Sequence, residues 1–269
     1  MRTLGVLLLS CLLLAGCTVT VRTDAEVTGL PPVPVPPVLR ADECWRSQGP
    51  YSASRFPKAT GTVVPCSEPH EFETYYSGPL VGTPGKAQLD LCTLQAKAIL
   101  GADYLTGRVE LEYFHGPDWF SCVMAETSTI ISRKFVARTG RLHDALKNPG
   151  MQLGCADLRW ENNSLSDIAH VADCSGAHTA EFTGFVELPV HALPSTAADL
   201  NTMAIKQCEA LGVKYLGGPN AEVFNIWIGP LAPDLKPGNH FYRCFLGAPK
   251  GKRFASVLKG LGTKPIPYA

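Results

Sequence analysis

Eight cysteines fall into two sets of four, and this partition constrains the chain more than any other feature. They stand at Cys44, Cys66, Cys92 and Cys122, then at Cys155, Cys174, Cys208 and Cys244. The surroundings of the two sets match better than their spacings do. Cys66-Ser67-Glu68-Pro69-His70-Glu71-Phe72-Glu73 and Cys174-Ser175-Gly176-Ala177-His178-Thr179-Ala180-Glu181 share the pattern C-S-x-x-H-x-x-E. Further along, Leu100-Gly101-Ala102-Asp103-Tyr104-Leu105-Thr106-Gly107 matches Leu211-Gly212-Val213-Lys214-Tyr215-Leu216-Gly217-Gly218. Two segments recurring in the same order point to a duplicated module.

The N-terminus accounts for the other two of the ten cysteines. Arg2 supplies a positive start, Leu4 to Leu14 an apolar run, and Leu14-Ala15-Gly16-Cys17 closes it with small residues before a cysteine. Residues 1–16 therefore read as a bacterial lipoprotein signal peptide ending in a lipobox. Cys17 becomes the expected mature N-terminus, carrying a thioether-linked diacylglyceryl group with palmitate-like chains. The alternative, a transmembrane anchor, needs roughly 20 apolar residues, and the run is shorter. Two or three acyl chains, at about 0.8 kcal/mol per buried methylene, hold a protein on a bilayer. The expected location is the extracytoplasmic face of the cell membrane. Cys11 leaves with the signal, which places the two sets of four in an oxidising compartment.

Residues 17–41 include Pro31-Pro32-Val33-Pro34-Val35-Pro36-Pro37. Such a run favours polyproline II at about 3.1 Å per residue, a semi-rigid tether. Two modules follow over residues 42–146 and 147–262, with a tail at 263–269. Val63-Val64 and Glu71 to Tyr76 read as strands around a corner, as do Val171 to Cys174 and Thr179 to Val186. In the first module a helix over Leu89 to Leu100 ends at Gly101. In the second, Ser195 or Thr196 caps a helix with Leu200, Met203, Ala204, Gln207, Cys208 and Leu211 on one face, ended by Gly212. Arg108 to Phe114 with Trp119 to Met124, and Ala221 to Trp227 with His240 to Leu246, read as hairpins. The expected class is α+β: a tandem repeat of two small disulfide-stabilised modules, each an antiparallel sheet with one main helix.

Four cysteines allow three pairings per set, and sequence alone does not choose among them. The pairing adopted as the expectation is Cys44 with Cys66, Cys92 with Cys122, Cys155 with Cys174 and Cys208 with Cys244. The first bridge of each set then closes the strand before the corner, and the second pins the helix to the last strand.

With these motifs assembled, the chain resembles the septum formation family of actinobacterial envelope proteins. The closest likeness is Val64-Pro65-Cys66-Ser67-Glu68-Pro69-His70-Glu71. The second copy keeps Cys174, His178 and Glu181 but has Gly176-Ala177 where the first has Glu68-Pro69. The Trp-then-Cys ending is similar in Trp227 to Cys244 and, compressed, in Trp119-Phe120-Ser121-Cys122. The resemblance implies a link to septum formation and no catalytic mechanism.

His70, Glu73, His178 and Glu181 are the candidate chemistry-bearing residues because they recur. With Trp119 and Trp227 they are also the candidate partner contacts. A hydrogen-bonded corner is the favoured reading of each His and Glu, ahead of partner contact, a metal site and catalysis. Zinc is expected to need convergence of both corners, and Cys66 with His70 loses its nucleophile once the sulfur is in a disulfide. For wall-polymer hydrolysis, Glu110, Glu112, Asp118, Glu181 and Asp199 show no pattern that singles out a pair. No G-x-S-x-G, H-E-x-x-H, P-loop or dinucleotide motif occurs. Lys and Arg number 24 against 24 Asp and Glu, so no overall field attracts nucleic acid. Local basic stretches at Arg133, Lys134, Arg138, Arg141 and His143, and at Lys250, Lys252, Arg253 and Lys259, read chiefly as solvated. The expectation is a non-enzymatic lipid-anchored envelope protein without cofactor or metal, assisting septum formation or cell division through envelope proteins or wall polymer. The alternative is an extracytoplasmic lipoprotein that binds a small ligand or metal.

Overall fold

The computed structural model describes residues 40–47, 61–171, 173–188, 197–229 and 240–269, all within one compact unit that begins at Pro36. The signal peptide and Cys17, the proline run, and Ser195 and Thr196 lie outside the described residues.

The first sheet contains β1 (Glu43–Ser47), β2 (Gly61–Val64), β3 (Phe72–Pro79), β4 (Val109–His115) and β5 (Trp119–Glu126). Their spatial order is β2-β1-β3-β5-β4, antiparallel throughout. Helix α1 (Lys86–Leu100) packs on one face. The second sheet contains β6 (Cys155–Glu161), β7 (Ser164–His170), β8 (Ala180–Glu187), β9 (Phe224–Ile228) and β10 (Phe241–Gly247), in the order β7-β6-β8-β10-β9. Helix α2 (Ala197–Leu216) packs on β8, β9 and β10.

Strand β5 explains why the core forms where it does. Side chains alternate across a strand, so Cys122 and Met124 meet Cys92, Ala96 and Leu100 of α1. Val123 and Ala125 take the other face with Trp45 and Phe72. On α1 the buried residues are Gln88, Cys92, Ala96 and Leu100, spaced by one helical turn. Gln88 also accepts the Gly85 N–H at 2.8 Å and closes the first turn. Gly101, at φ 79°, ends the helix, its N–H bonded to Lys97 O at 3.2 Å.

Three expectations change. Each sheet has an additional strand next to its centre, β1 or β6, which carries the first cysteine of its set. Of the expected strand Val171 to Cys174, the described residues Val171, Asp173 and Cys174 are not in a strand. The preceding segment instead folds back as the β6–β7 hairpin, turned by Asn162 and Asn163 at φ 49° and 64°, a conformation asparagine tolerates. Helix α2 does not stop at Gly212 but runs to Leu216, where Gly217 at φ 84° turns the chain. In the matching segment of the first sheet, Asp103 accepts the Leu105 N–H at 3.1 Å and starts a separate 3-10 turn over Tyr104–Thr106. Lys214 stands at that place in α2 and offers no acceptor, so the helix continues. Gly212 is a packing glycine: a Cβ there would lie 2.6 Å from Asn225 Oδ1 and 3.0 Å from Leu246 Cδ2.

Within each set the first cysteine bonds the second and the third bonds the fourth: Cys44–Cys66, Cys92–Cys122, Cys155–Cys174 and Cys208–Cys244. The second bridge of each set ties a helix to its sheet. Replacing Cys92 and Cys122 together by Ala removes a constraint across 30 positions. The expected loss is about 3–4 kcal/mol of unfolding free energy from chain entropy, read as a lower midpoint in urea.

The two sheets also hold each other. Ile130 N–H bonds Ile168 O at 3.0 Å, and His170 N–H bonds Ser128 O at 3.1 Å, which covers the β7 edge. Ile130 and Leu153 enter the apolar cluster of Ala156, Leu158, Ile168 and Phe245. At the centre, Arg243 of β10 reaches Glu110 of β4 at 2.5 Å and donates to Leu105 O at 3.2 Å and Val109 O at 3.1 Å. Both side chains are buried, at 8% and 10% exposure.

Candidate functional site

The C-S-x-x-H-x-x-E segments are clasps for the chain that follows each sheet. In the second sheet, His178 N–H bonds Phe254 O at 3.1 Å and Phe254 N–H bonds His178 O at 2.7 Å. Three residues on, Glu181 accepts the Leu258 N–H, at 2.9 Å to Oε1 and 3.1 Å to Oε2. One turn of sequence thus grips the returning segment at two points. The first sheet repeats the grip: His70 and Arg138 exchange backbone bonds at 2.9 and 2.8 Å, and Glu73 Oε2 accepts the Leu142 N–H at 2.8 Å. Leu142 and Leu258, so positioned, are almost fully buried.

The two clasps differ in how they satisfy their polar atoms. In the second, His178 Nε2 lies 2.8 Å from Glu181 Oε1 and Nδ1 lies 2.8 Å from Gly176 O. Both ring nitrogens face acceptors, the arrangement that favours the imidazolium form. Burial, the largest influence on the ring, favours its neutral form. The bond to Glu181, the bond to Gly176 O and the nearby charges of Glu181 and Asp157 together outweigh it, and the His178 pKa is raised. Tyr215 OH donates to Glu181 Oε2 at 2.8 Å. Its hydroxyl pKa is raised well above the usual phenol range by burial and by the Glu181 charge.

In the first clasp, His70 Nδ1 lies 2.7 Å from Glu68 O, while Nε2 is buried with no hydrogen-bond partner among the described residues. Burial raises the Glu73 carboxyl pKa, against the Leu142 bond and the charges of Arg141, Arg138 and His70. No tyrosine bond to Glu73 occurs among the described residues. Tyr104, at the position of Tyr215, sits in the separate 3-10 turn and feels the charges of Glu110 and Arg243 instead.

Each clasp abuts a disulfide. One ligand atom from each of Cys44, His70 and Glu73 lies within 4.8 Å of the others, and the same holds for Cys155, His178 and Glu181. Each cluster forms within a single His–Glu corner and takes its third member from a cysteine. In the structure the sulfurs are in disulfides and offer no thiolate.

The other candidates lie elsewhere. Trp119 begins β5 opposite Pro79, five residues along the strand from Met124, which pairs with Glu73. Trp227 in β9 packs beside Val186, Ala204 and Cys208. Glu110 and Glu112 stand on β4, Asp118 precedes β5, Glu181 is on β8 and Asp199 on α2. Several cations of the basic stretches pair within the chain: Arg253 with Asp157 at 2.9 Å, Arg141 with Asp42, and Arg138 with Glu126 at 3.6 Å. Lys252 sits 4.4 Å over the Tyr268 ring. Sequence reading missed the partners of the glutamates, because Leu142 and Leu258 contribute backbone N–H groups that leave no mark in residue identity. Tyr215 was detectable, since it recurs with Tyr104, but only the continuous α2 aims it at the carboxylate.

Among the described residues, no helix is long and apolar enough to cross a membrane. A family model described as septum formation matches residues 43–226, from the start of β1 into β9. No curated protein and no solved structure matches the chain.

Proposed function

The chain belongs to the septum formation family, and from that premise we propose a non-enzymatic, lipid-anchored envelope protein that serves cell division as a rigid contact body. One observation carries the non-enzymatic part of this reading. The recurring residues with chemical potential, four cysteine pairs and two His–Glu pairs, are committed to holding the chain's own segments together. Residues so tied have no free nucleophile, and the scattered carboxylates supply no paired acid and base.

The shared strand order and the repeated clasp support a duplication, with modules over residues 42–146 and 147–262. Each has one main helix. A body that presents two related faces at fixed separation gains avidity from a partner with repeated sites. Envelope or division proteins and wall polymer are the partners in this reading. The anchor is the acylated Cys17, and the proline-rich segment lifts the body from the membrane.

In-cell crosslinking of the tagged full chain, followed by identification of captured components in the intact envelope, tests the proposal. Division or wall components are expected, and their loss with Cys17→Ala is expected as the chain leaves the membrane. Recovery of none with the native chain overturns it. A second reading, metal binding, is favoured by the Cys44, His70 and Glu73 cluster.

A further inference from the structure

We propose that the Cys44–Cys66 clasp is a latent zinc site, closed by the disulfide and opened by a dithiol reductant, with Cys44, Cys66, His70 and Glu73 as its four ligands. Ligand atoms of Cys44, His70 and Glu73 already lie within 4.8 Å of one another, and Cys66 is bonded to Cys44. Two thiolates, an imidazole and a carboxylate are the donor types that tetrahedral zinc takes.

The histidine supplies the second, independent observation. His70 is 1% exposed, and its Nε2 has no hydrogen-bond partner among the described residues. Its Nδ1 faces Glu68 O at 2.7 Å; a carbonyl can only accept, so Nδ1 donates there and Nε2 is the ring nitrogen left to meet a metal. A histidine that donates one ring N–H to a backbone carbonyl and leaves the other nitrogen bare is in the arrangement typical of a metal ligand. A buried nitrogen left unpaired carries a desolvation cost, and a bound cation removes it.

The second clasp provides an internal control. Cys155, His178 and Glu181 cluster equally closely, but His178 Nε2 is occupied by Glu181 and that carboxylate also holds Tyr215 and Leu258. Zinc would have to displace these bonds, so one site per chain is expected.

The opening step balances as thiol–disulfide exchange. A thiolate of the dithiol attacks Cys66 Sγ, the half-buried sulfur, while Cys44 is fully buried. The Cys44–Cys66 bond breaks and its electron pair goes to Cys44 Sγ. The second thiolate of the dithiol then attacks its own sulfur in the mixed disulfide and releases Cys66. The reductant leaves as a cyclic disulfide, oxidised by two electrons, and the two cysteines are reduced by the same two. Zinc then binds both sulfurs as thiolates, and their protons go to solvent.

The test is a titration of the full mature chain with dithiothreitol, with cobalt(II) as the spectroscopic probe and zinc as competitor. Alkylation at each step identifies the open bridge. The expected result is one cobalt per chain, with the intense visible bands of a tetrahedral thiolate site, arising with loss of Cys44–Cys66. His70→Ala is expected to weaken cobalt binding by more than the roughly 10–100-fold typical of an outer partner, and His178→Ala to leave it unchanged. Equal cobalt uptake by oxidised and reduced chains overturns the proposal, as does retention of the bands in His70→Ala. Zinc-dependent folding covers the remaining outcome, because a metal that binds only the folded chain stabilises it. A reduced chain that unfolds and is not refolded by zinc also overturns the site, leaving a water as the partner of His70.

Discussion

Glu181→Ala is expected to destabilise the oxidised chain by about 3–5 kcal/mol, the usual cost of removing one member of a buried ion pair. The size follows from what the carboxylate holds. Three donors converge on it: His178 Nε2, Tyr215 OH and the Leu258 N–H. His178 and Glu181 are fully buried, so water does not replace the lost acceptor without opening the clasp. The segment from Phe254 onward is then expected to become the first site of proteolysis and of amide exchange. Glu73→Gln is the contrast, since the amide oxygen still accepts from Leu142, and its expected cost is below about 1.5 kcal/mol.

The same clasp gives a signed pH dependence. His178 has a raised pKa in the folded chain, so folding binds its proton more tightly than the unfolded chain does. The resulting stability is fully present below the ordinary histidine value of about 6.5. It fades as pH rises through the higher folded value. Urea midpoints measured upward from that point are expected to fall for the native chain. They should fall less steeply for Glu181→Ala, which lacks the partner that raises the pKa. Parallel curves for the two would remove the imidazolium from the clasp.

Cysteine order and strand alternation made much of this legible in advance. The expected pairing of the cysteines is the one that forms, and β5 lies where one strand of a hairpin was expected. What stayed hidden is what residue identity does not encode. Strand β1 is short, and its Trp45 is recognisable as core only once Phe72 stacks on it at 4.4 Å between ring centroids. Asn162 and Asn163 carry the pair of positive φ angles that turn the β6–β7 hairpin, which their identity alone does not announce. Gly212 resembled a helix terminator because glycine serves both for left-handed turns and for close packing, and only Asn225 and Leu246 decide between the two. The clasps were visible as recurring His and Glu, and their purpose was not, because the groups they hold are backbone amides far along the chain.

Arg243 was likewise unmarked in sequence, and Arg243→Met is expected to have the second large effect. The guanidinium enters the contact between the sheets and there meets one carboxylate and two carbonyls. Methionine fills comparable space but leaves Glu110, among the described residues, with Arg133 alone as an ion-pair partner, at 3.7 Å and on the half-exposed side. An uncompensated buried carboxylate costs about 3–5 kcal/mol, and here that cost is charged to the contact between two bodies, each with its own core and its own disulfides. The expected signature is therefore a change of shape as well as of midpoint: one urea transition resolving into two, with new cleavage between Thr127 and Gly154. Glu110→Gln separates pairing from packing. If the ion pair is the lock, the double variant is less destabilised than the sum of the singles by more than about 1.5 kcal/mol, well beyond the 0.3–0.5 kcal/mol scatter of independent sites. Additive costs would mean that Ile130, Leu153 and their apolar neighbours hold the sheets together without it. A fixed angle between the two clasps, and hence any avidity for repeated sites, would then depend on apolar contact alone.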